Sequence, residues 1–291
     1  MPFEPLLRQS DGLPAESLSM TDNQPATVVC WRCGKEVPCA SSACPFCEAS
    51  LRVGSPGANV TDTLQDANAR TLNRMLIVFG VLLGISFVGG LVRHLMAAVA
   101  PHHCLEAWQA LAATIVIEVA DTALVLLAWA WCGARFPEPR RSLVRRVLVW
   151  MAALAGLVGV LALNVLYHRF ICEWLHLSVE RQYVFRDHAL TTLSMLAICA
   201  QPPIVEELFF RYLMFGALRR VMGGNGVVWI TAVMFATAHI GVPLSMPVLF
   251  VLGLLLGYAR LGTGTIWLPI ALHFLHNAAV VALNAMYGGL Q

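Results

Sequence analysis

The chain has 291 residues, of which 58% are hydrophobic and only 12% charged, with a net charge of +2. A soluble domain carries roughly 25% charged residues, and one this apolar could not cover its surface with polar groups, so the bilayer is its expected solvent. The small net charge and the lack of any basic stripe exclude nucleic acid as a partner.

Residues 1–27 are polar and Pro/Ser-rich, a composition expected to stay disordered. Residues 28–50 carry Cys30-Trp-Arg-Cys33 and Cys44-Pro-Phe-Cys47, two knuckles ten residues apart. Four thiolates so spaced can close a tetrahedral zinc site. The segment between them is too short for its own core, so the metal would supply the folding energy. Cys30, Cys33, Cys44 and Cys47 are therefore expected to hold a structural zinc in a module that resembles a zinc ribbon, with Cys39 a bystander or a substitute ligand. Disulfides and a redox CxxC compete with this. A cytoplasmic location disfavours the first, and the missing βαβ context the second. Such a ribbon could recruit a protein partner or sense zinc.

Residues 51–73 read as a linker, and near Arg74 the composition turns sharply to Leu, Val, Ala, Ile and Phe. The first long apolar run starts at Met75, too far along for a cleaved leader, so the preceding residues are expected to remain in the cytoplasm. Runs long enough for roughly 30 Å of hydrocarbon occur at about 75–98, 106–132, 147–167, 188–218, 225–240, 245–261 and 266–287. The fourth is too long for one straight helix, and Pro202-Pro203 should break or kink it. The expected fold class is an all-α polytopic membrane protein: seven to eight transmembrane helices over residues 74–291, preceded by the small cytoplasmic ribbon. Barrel strands are excluded because the runs are too long and do not alternate.

With the N-terminus inside, Arg135, Arg140, Arg141, Arg145, Arg146, Arg219, Arg220 and Arg260 fall on the cytoplasmic side. The opposite side receives Arg93, Arg169, Arg181 and Arg186, the last three diluted by Glu173, Glu180 and Asp187. That bias matches the positive-inside rule and fits an integral multi-pass protein of the plasma (inner) membrane.

An ionisable residue within a span costs about 2.5–3.5 kcal/mol on insertion scales, so each asks for a reason. In Gln201-Pro-Pro-Ile-Val-Glu206-Glu207-Leu-Phe-Phe-Arg211, Glu207 and Arg211 are four apart and should form a salt bridge on one helical face. Glu206 is rotated about 100° away and is left as the carboxylate available for proton transfer. His239 ends the next span. His273 and Asn277, four apart, share a face of the last helix. A carboxylate, two histidines and an asparagine on three of the last four helices form a set that can activate water and stabilise an oxyanion.

In this order, Glu206-Glu207-x-x-x-Arg211, Phe235-x-x-x-His239 and His273-x-x-x-Asn277 resemble the three motifs of the CPBP (Abi) family of intramembrane proteases, which includes the type II CAAX prenyl endopeptidases. The similarity covers about residues 185–287, and Gly257-Tyr-Ala-Arg260 through Pro269-Ile-Ala-Leu-His273 also resembles the family. Each motif is short; the ordered triplet on membrane helices is specific, and no motif position departs from the pattern. The resemblance implies an endopeptidase acting on membrane-associated or lipidated (CAAX-like) peptides. In it, Glu206 is the general base, His239 helps hold the water, His273 and Asn277 donate to the oxyanion, and Arg211 locks Glu207. Family members are often classed as metalloproteases, and Glu206, His239 and His273 could supply three metal ligands with water in the fourth position. No HExxH is present, and the metal-free mechanism is the preferred one.

Other polar residues have ordinary explanations. Glu118 and Asp121 either line a water-filled cavity or, the favoured alternative, pair with an arginine of another helix. His276 lies about 100° off the His273/Asn277 face and is secondary. His94, His102 and His103 suit a solvated interfacial loop; Cys104, Cys132, Cys172 and Cys199 suit small buried hydrophobes. Gly80, Gly84, Gly89 and Gly90 are expected helix-packing sites. Two non-enzymatic alternatives are a membrane scaffold or immunity factor on the same fold and an ion-coupled transporter. The second lacks the internal repeat it would favour.

Overall fold

A computed structural model describes residues 27–29, 35–38, 41, 44–46, 60–99, 107–132, 136, 141–174, 176 and 188–288. The chain divides into two compact units, Met1–Ser55 and Pro56–Gln291. Cys30, Cys33, Cys39, Cys47, His102, His103 and Cys104 lie outside the described residues.

In the first unit, β1 (Thr27–Val29) and β2 (Glu36–Pro38) pair antiparallel with Val28 opposite Val37. The pair flanks the first knuckle of cysteines, and Val37 and Cys44 are buried. Lys35 Nζ sits 4.2 Å from the Phe46 ring centroid, a cation–π contact that keeps the charged tip on the outer face.

The second unit is helical: α1 (Val60–Val99), α2 (Ala107–Cys132), α3 (Leu143–Trp174), α4 (His188–Cys199), α5 (Gln201–Glu207), a π-helical segment (Leu208–Met214), α6 (Phe215–Leu218), α7 (Gly224–Ala238), α8 (Met246–Thr263) and α9 (Trp267–Gly288). Helix α1 runs unbroken through the compositional boundary at Arg74. Among the described residues, four helical stretches are long and apolar enough to cross a membrane: Ala67–Val92, Thr114–Cys132, Leu143–Trp174 and Pro243–Thr263. Their outer faces leave Ile77, Val116, Leu127, Val158 and Leu166 exposed, as lipid contact requires and water would penalise. The chain is thus a multi-pass membrane protein in its helices.

The count of four is lower than the seven to eight expected. The 188–218 run is divided, because the helix turns out at Ala200 and restarts with Pro202 and Pro203 at its first positions. Proline is tolerated there, since the first N–H groups of a helix have no intrahelical acceptor. Helix α7 stops at Ala238, and the apolar stretch Trp267–Leu283 is also short. Arg260, counted among the cytoplasmic loop cations, is instead buried in α8. Of the cysteines read as buried hydrophobes, Cys132 and Cys199 are buried and Cys172 is exposed.

The core is centred on the second half of this unit, where Phe209, Phe210, Leu213, Met214, Val228, Phe235, Leu252, Leu256, Leu268 and Leu272 pack together, and it takes in Met75 and Val78 of α1, Val125 of α2 and Leu157 of α3. Helices α7 and α8 approach closely because Gly253 and Gly257, four apart on α8, lack side chains at the crossing. A Cβ on Gly253 would lie 3.0 Å from Ala232 Cα, and one on Gly257 2.8 Å from Val228 Cγ1. Small residues at this spacing let helix backbones meet in membranes. Gly264 ends α8 in the left-handed region (φ 77°), its N–H returning to Arg260 O at 2.9 Å.

The four glycines of α1 behave unequally. A side chain on Gly80 or Gly84 would meet nothing within 4 Å, whereas one on Gly90 would lie 2.7 Å from Gly241 Cα. Substituting Gly253→Val should therefore destabilise the detergent-solubilised protein by about 1–3 kcal/mol through overpacking, read as a lower Tm. Gly84→Ala should not lower Tm; equal behaviour of the two variants would refute the close α7–α8 crossing.

Candidate active site

The site grows from the end of α5. Its last two residues, Glu206 and Glu207, diverge into different surroundings. Glu207 Oε2 lies 3.1 Å from Arg211 Nε, and both side chains are 0% exposed. Arg211 Nη2 also donates to Gly253 O at 3.2 Å, and the guanidinium carbon stands 4.5 Å from the Phe235 ring centroid, while Nη1 is buried with no hydrogen-bond partner among the described residues. The π-helical segment that carries Arg211 displaces its carbonyls from the α-helical ladder. Arg260 Nε from α8 donates to Arg211 O at 3.0 Å. Two arginines thus brace the π segment against α8.

The second oxygen of Glu207 reaches α9. His273 Nδ1–H donates to Glu207 Oε1 at 3.1 Å, with the ring only 3% exposed. A carboxylate accepts only, so the contact fixes which ring nitrogen points away, namely Nε2.

Glu206 faces the other way. Its Oε2 is buried and makes no hydrogen bond among the described residues, and it stands 3.9 Å from His239 Nε2. His239 Nδ1–H donates to Phe235 O at 2.8 Å, so its Nε2 too is turned toward the carboxylate. Phe235 is the hub: its ring centroid is 5.0 Å from His239 and 5.5 Å from His273, the latter edge-on at 78°. Glu206 also interacts electrostatically with His273, Glu207, Arg211 and Asp121. Asn277 lies one residue beyond His276, whose Nδ1 is 3.3 Å from Asn277 Oδ1.

A cavity of about 210 Å³ opens onto this centre, lined by Glu118, Asp121, Glu206 and His239 with Val205, Phe209 and Val242 among the apolar walls. It is smaller than the roughly 300–1,000 Å³ of small-molecule pockets and has room for water. Glu118 and Asp121, favoured above as partners of an arginine, pair with none among the described residues and line this cavity instead. Gln201 explains how α2 comes to be there. Its Nε2 donates to Thr122 Oγ1 at 2.6 Å and to Glu118 O at 3.0 Å, tying the start of α5 to the acidic turn of α2.

Sequence reasoning therefore missed Phe235 as the shared platform, Arg260 as a brace and the π segment, for which the sequence carries no signal. For Glu118 and Asp121 the structure favours the cavity wall, the less favoured of the two readings given above. Among the described residues no group of three or more His, Cys, Asp or Glu side chains is placed to hold a metal ion.

Residues 188–279 match the family model of type II CAAX prenyl endopeptidase Rce1-like proteins. The matched stretch contains Glu206, Glu207, Arg211, His239, His273 and Asn277. Comparison with curated proteins found no match, and comparison with solved structures found none either.

The ion pair makes a quantitative expectation. Arg211→Met leaves Glu207 buried without its counter-charge and should cost about 3–5 kcal/mol. Adding Glu207→Leu removes the orphaned charge and should restore most of the lost Tm. A double variant no more stable than the single one would refute the pairing.

Proposed function

We propose that this protein is an intramembrane endopeptidase that hydrolyses peptide bonds of membrane-associated or lipidated substrates with a Glu206-activated water. The observation that carries this is the division of labour between the paired glutamates. Glu207 is consumed by Arg211 and His273, while Glu206 stands at the cavity with its Oε2 opposite His239 Nε2. The match of residues 188–279 to type II CAAX prenyl endopeptidase Rce1-like proteins supports the same class of activity and suggests a CAAX-like, lipid-modified peptide.

The 3.9 Å gap between Glu206 Oε2 and His239 Nε2 is one that a single water spans. Two hydrogen bonds of about 2.8 Å across it would meet at roughly 90°, near the angle between a water's two O–H bonds. Such a water donates one proton to each group and turns a lone pair toward the substrate carbonyl. As the new C–O bond forms, Glu206 accepts the water's proton. Negative charge gathers on the carbonyl oxygen, where the ring of His273 and the amide of Asn277 would donate. Collapse breaks the C–N bond, and the proton held by Glu206 passes to the leaving amine. This scheme uses only protein groups and water; Glu207 contributes by fixing the His273 ring.

Cys30, Cys33, Cys44 and Cys47 are assigned a structural zinc on their spacing, with β1 and β2 flanking the first knuckle. The arginine balance supports an N-terminus in the cytoplasm, which would put the ribbon beside the cytoplasmic face, where it could meet a protein partner.

Glu206→Gln keeps the side chain's shape but cannot accept a proton. It should lower kcat on a fluorogenic lipidated peptide by roughly 10²–10⁴-fold with Tm unchanged. Cleavage at the parental rate would remove the protein from this class of enzyme. Elemental analysis of the full chain should find stoichiometric zinc that is lost in Cys30→Ser/Cys33→Ser; zinc-free parental protein would refute the ribbon assignment.

A further inference from the structure

Helix α9 holds a third polar residue that the scheme above does not use. His276 is 5% exposed, in a position where its neighbours on the same helix, Leu272 and Leu268, are wholly buried apolar residues. Burying an imidazole costs free energy unless its polar atoms are engaged. Its Nε2 is buried and makes no hydrogen bond among the described residues. Its Nδ1 lies 3.3 Å from Asn277 Oδ1, and an amide oxygen can only accept, so Nδ1–H donates. The ring's whole polar engagement is thus spent on one side-chain oxygen of the next residue.

An asparagine amide has two chemically opposite ends. An oxyanion needs the NH₂ end; rotating the amide by about 180° about χ2, a soft and roughly two-fold torsion, would aim a carbonyl oxygen at negative charge instead. A donor on Oδ1 favours that choice, because the flipped amide would need the ring proton moved to Nε2, a buried atom with no acceptor among the described residues. His276 is also three residues from His273, on the adjoining strip of α9, so each of the two proposed oxyanion donors has a side-chain hydrogen-bond partner: Glu207 for His273 and His276 for Asn277.

We propose that His276 is a positioning residue that locks the Asn277 amide with its NH₂ toward the developing oxyanion. This rests on the endopeptidase reading above, and on the role given there to Asn277.

The test is a double-mutant cycle on the purified full chain, with the lipidated fluorogenic peptide as substrate. Asn277→Ala should lower kcat by roughly 10²–10³-fold, the cost of one oxyanion donor. His276→Phe fills the ring's volume without the donor and should lower kcat by about 10–100-fold, the scale of a misplaced catalytic group, with KM and Tm nearly unchanged. His276→Gln, whose amide can donate to Oδ1, should recover part of that loss. In the Asn277→Ala background, His276→Phe should cost nothing more. Full activity of His276→Phe, or the same fold-loss in both backgrounds, would overturn the proposal while leaving the function in place. Full activity of Asn277→Ala would overturn the oxyanion assignment, and the proposal with it.

Discussion

The buried contact between Glu207 and Arg211 organises the rest of this unit. Two full charges with no exposure would be intolerable alone, since the desolvation of each ion costs several kcal/mol. The fold answers by surrounding them with groups that do other work as well. Gly253 O takes one arm of Arg211, and that carbonyl is reachable because Gly253 lets α8 press against α7. The Phe235 ring lies under the guanidinium and at once stands between His239 and His273. Glu207 then spends its second oxygen on His273. One ion pair thereby fixes the spacing of α5, α7, α8 and α9, the four helices that carry the site.

The adjoining Glu206 follows from the same constraint. Consecutive residues on a helix point about 100° apart, so a helix that commits Glu207 inward to Arg211 must present Glu206 to a different wall. That wall is the cavity. The acidic turn of α2 is brought up to it by Gln201, which also sits where α4 has ended and the proline pair begins α5. The helix break that sequence predicts from Pro202-Pro203 thus falls beside the residue that bridges to α2 through its side-chain amide. Glu118 and Asp121 give the cavity wall a polar side inside an otherwise apolar bundle.

What sequence made legible was local and periodic. The i, i+4 relation of Glu207 and Arg211, the divergence of Glu206 and the proline break are all consequences of helical geometry over a few residues, and each has its counterpart in the structure. Long-range relations were not legible. Nothing in the spacing of Glu118 and Asp121 says that their turn lies against α5, because that depends on a bond from Gln201 across 83 residues. Arg260 reads as a loop cation by position and is a buried donor to Arg211 O by packing. The number of spans failed for a related reason. Hydropathy measures how apolar a run is, while the actual helix ends at Ala200 and Ala238 are set by proline and by the turn that begins at His239.

The three imidazoles around the site share one device. Each spends Nδ1–H on an oxygen: His239 on the backbone carbonyl of Phe235, His273 on the carboxylate of Glu207, His276 on the amide of Asn277. The acceptors differ in strength. A hydrogen bond to an ionised group is roughly twice as strong as a neutral one, so the His273 ring is the most firmly oriented of the three. The His239 bond is local, donated to a carbonyl four residues back, and turns the ring with the end of α7. Nδ1 of His276 has the longest contact, and its acceptor is itself a side chain that can rotate. In that pair the orienting influence runs outward from a ring immobilised by burial to the amide. The two histidines nearest Glu206 are therefore held by their scaffolds, while the third holds a neighbour. The same bond geometry serves opposite purposes because in one case the acceptor is fixed and in the other the donor is.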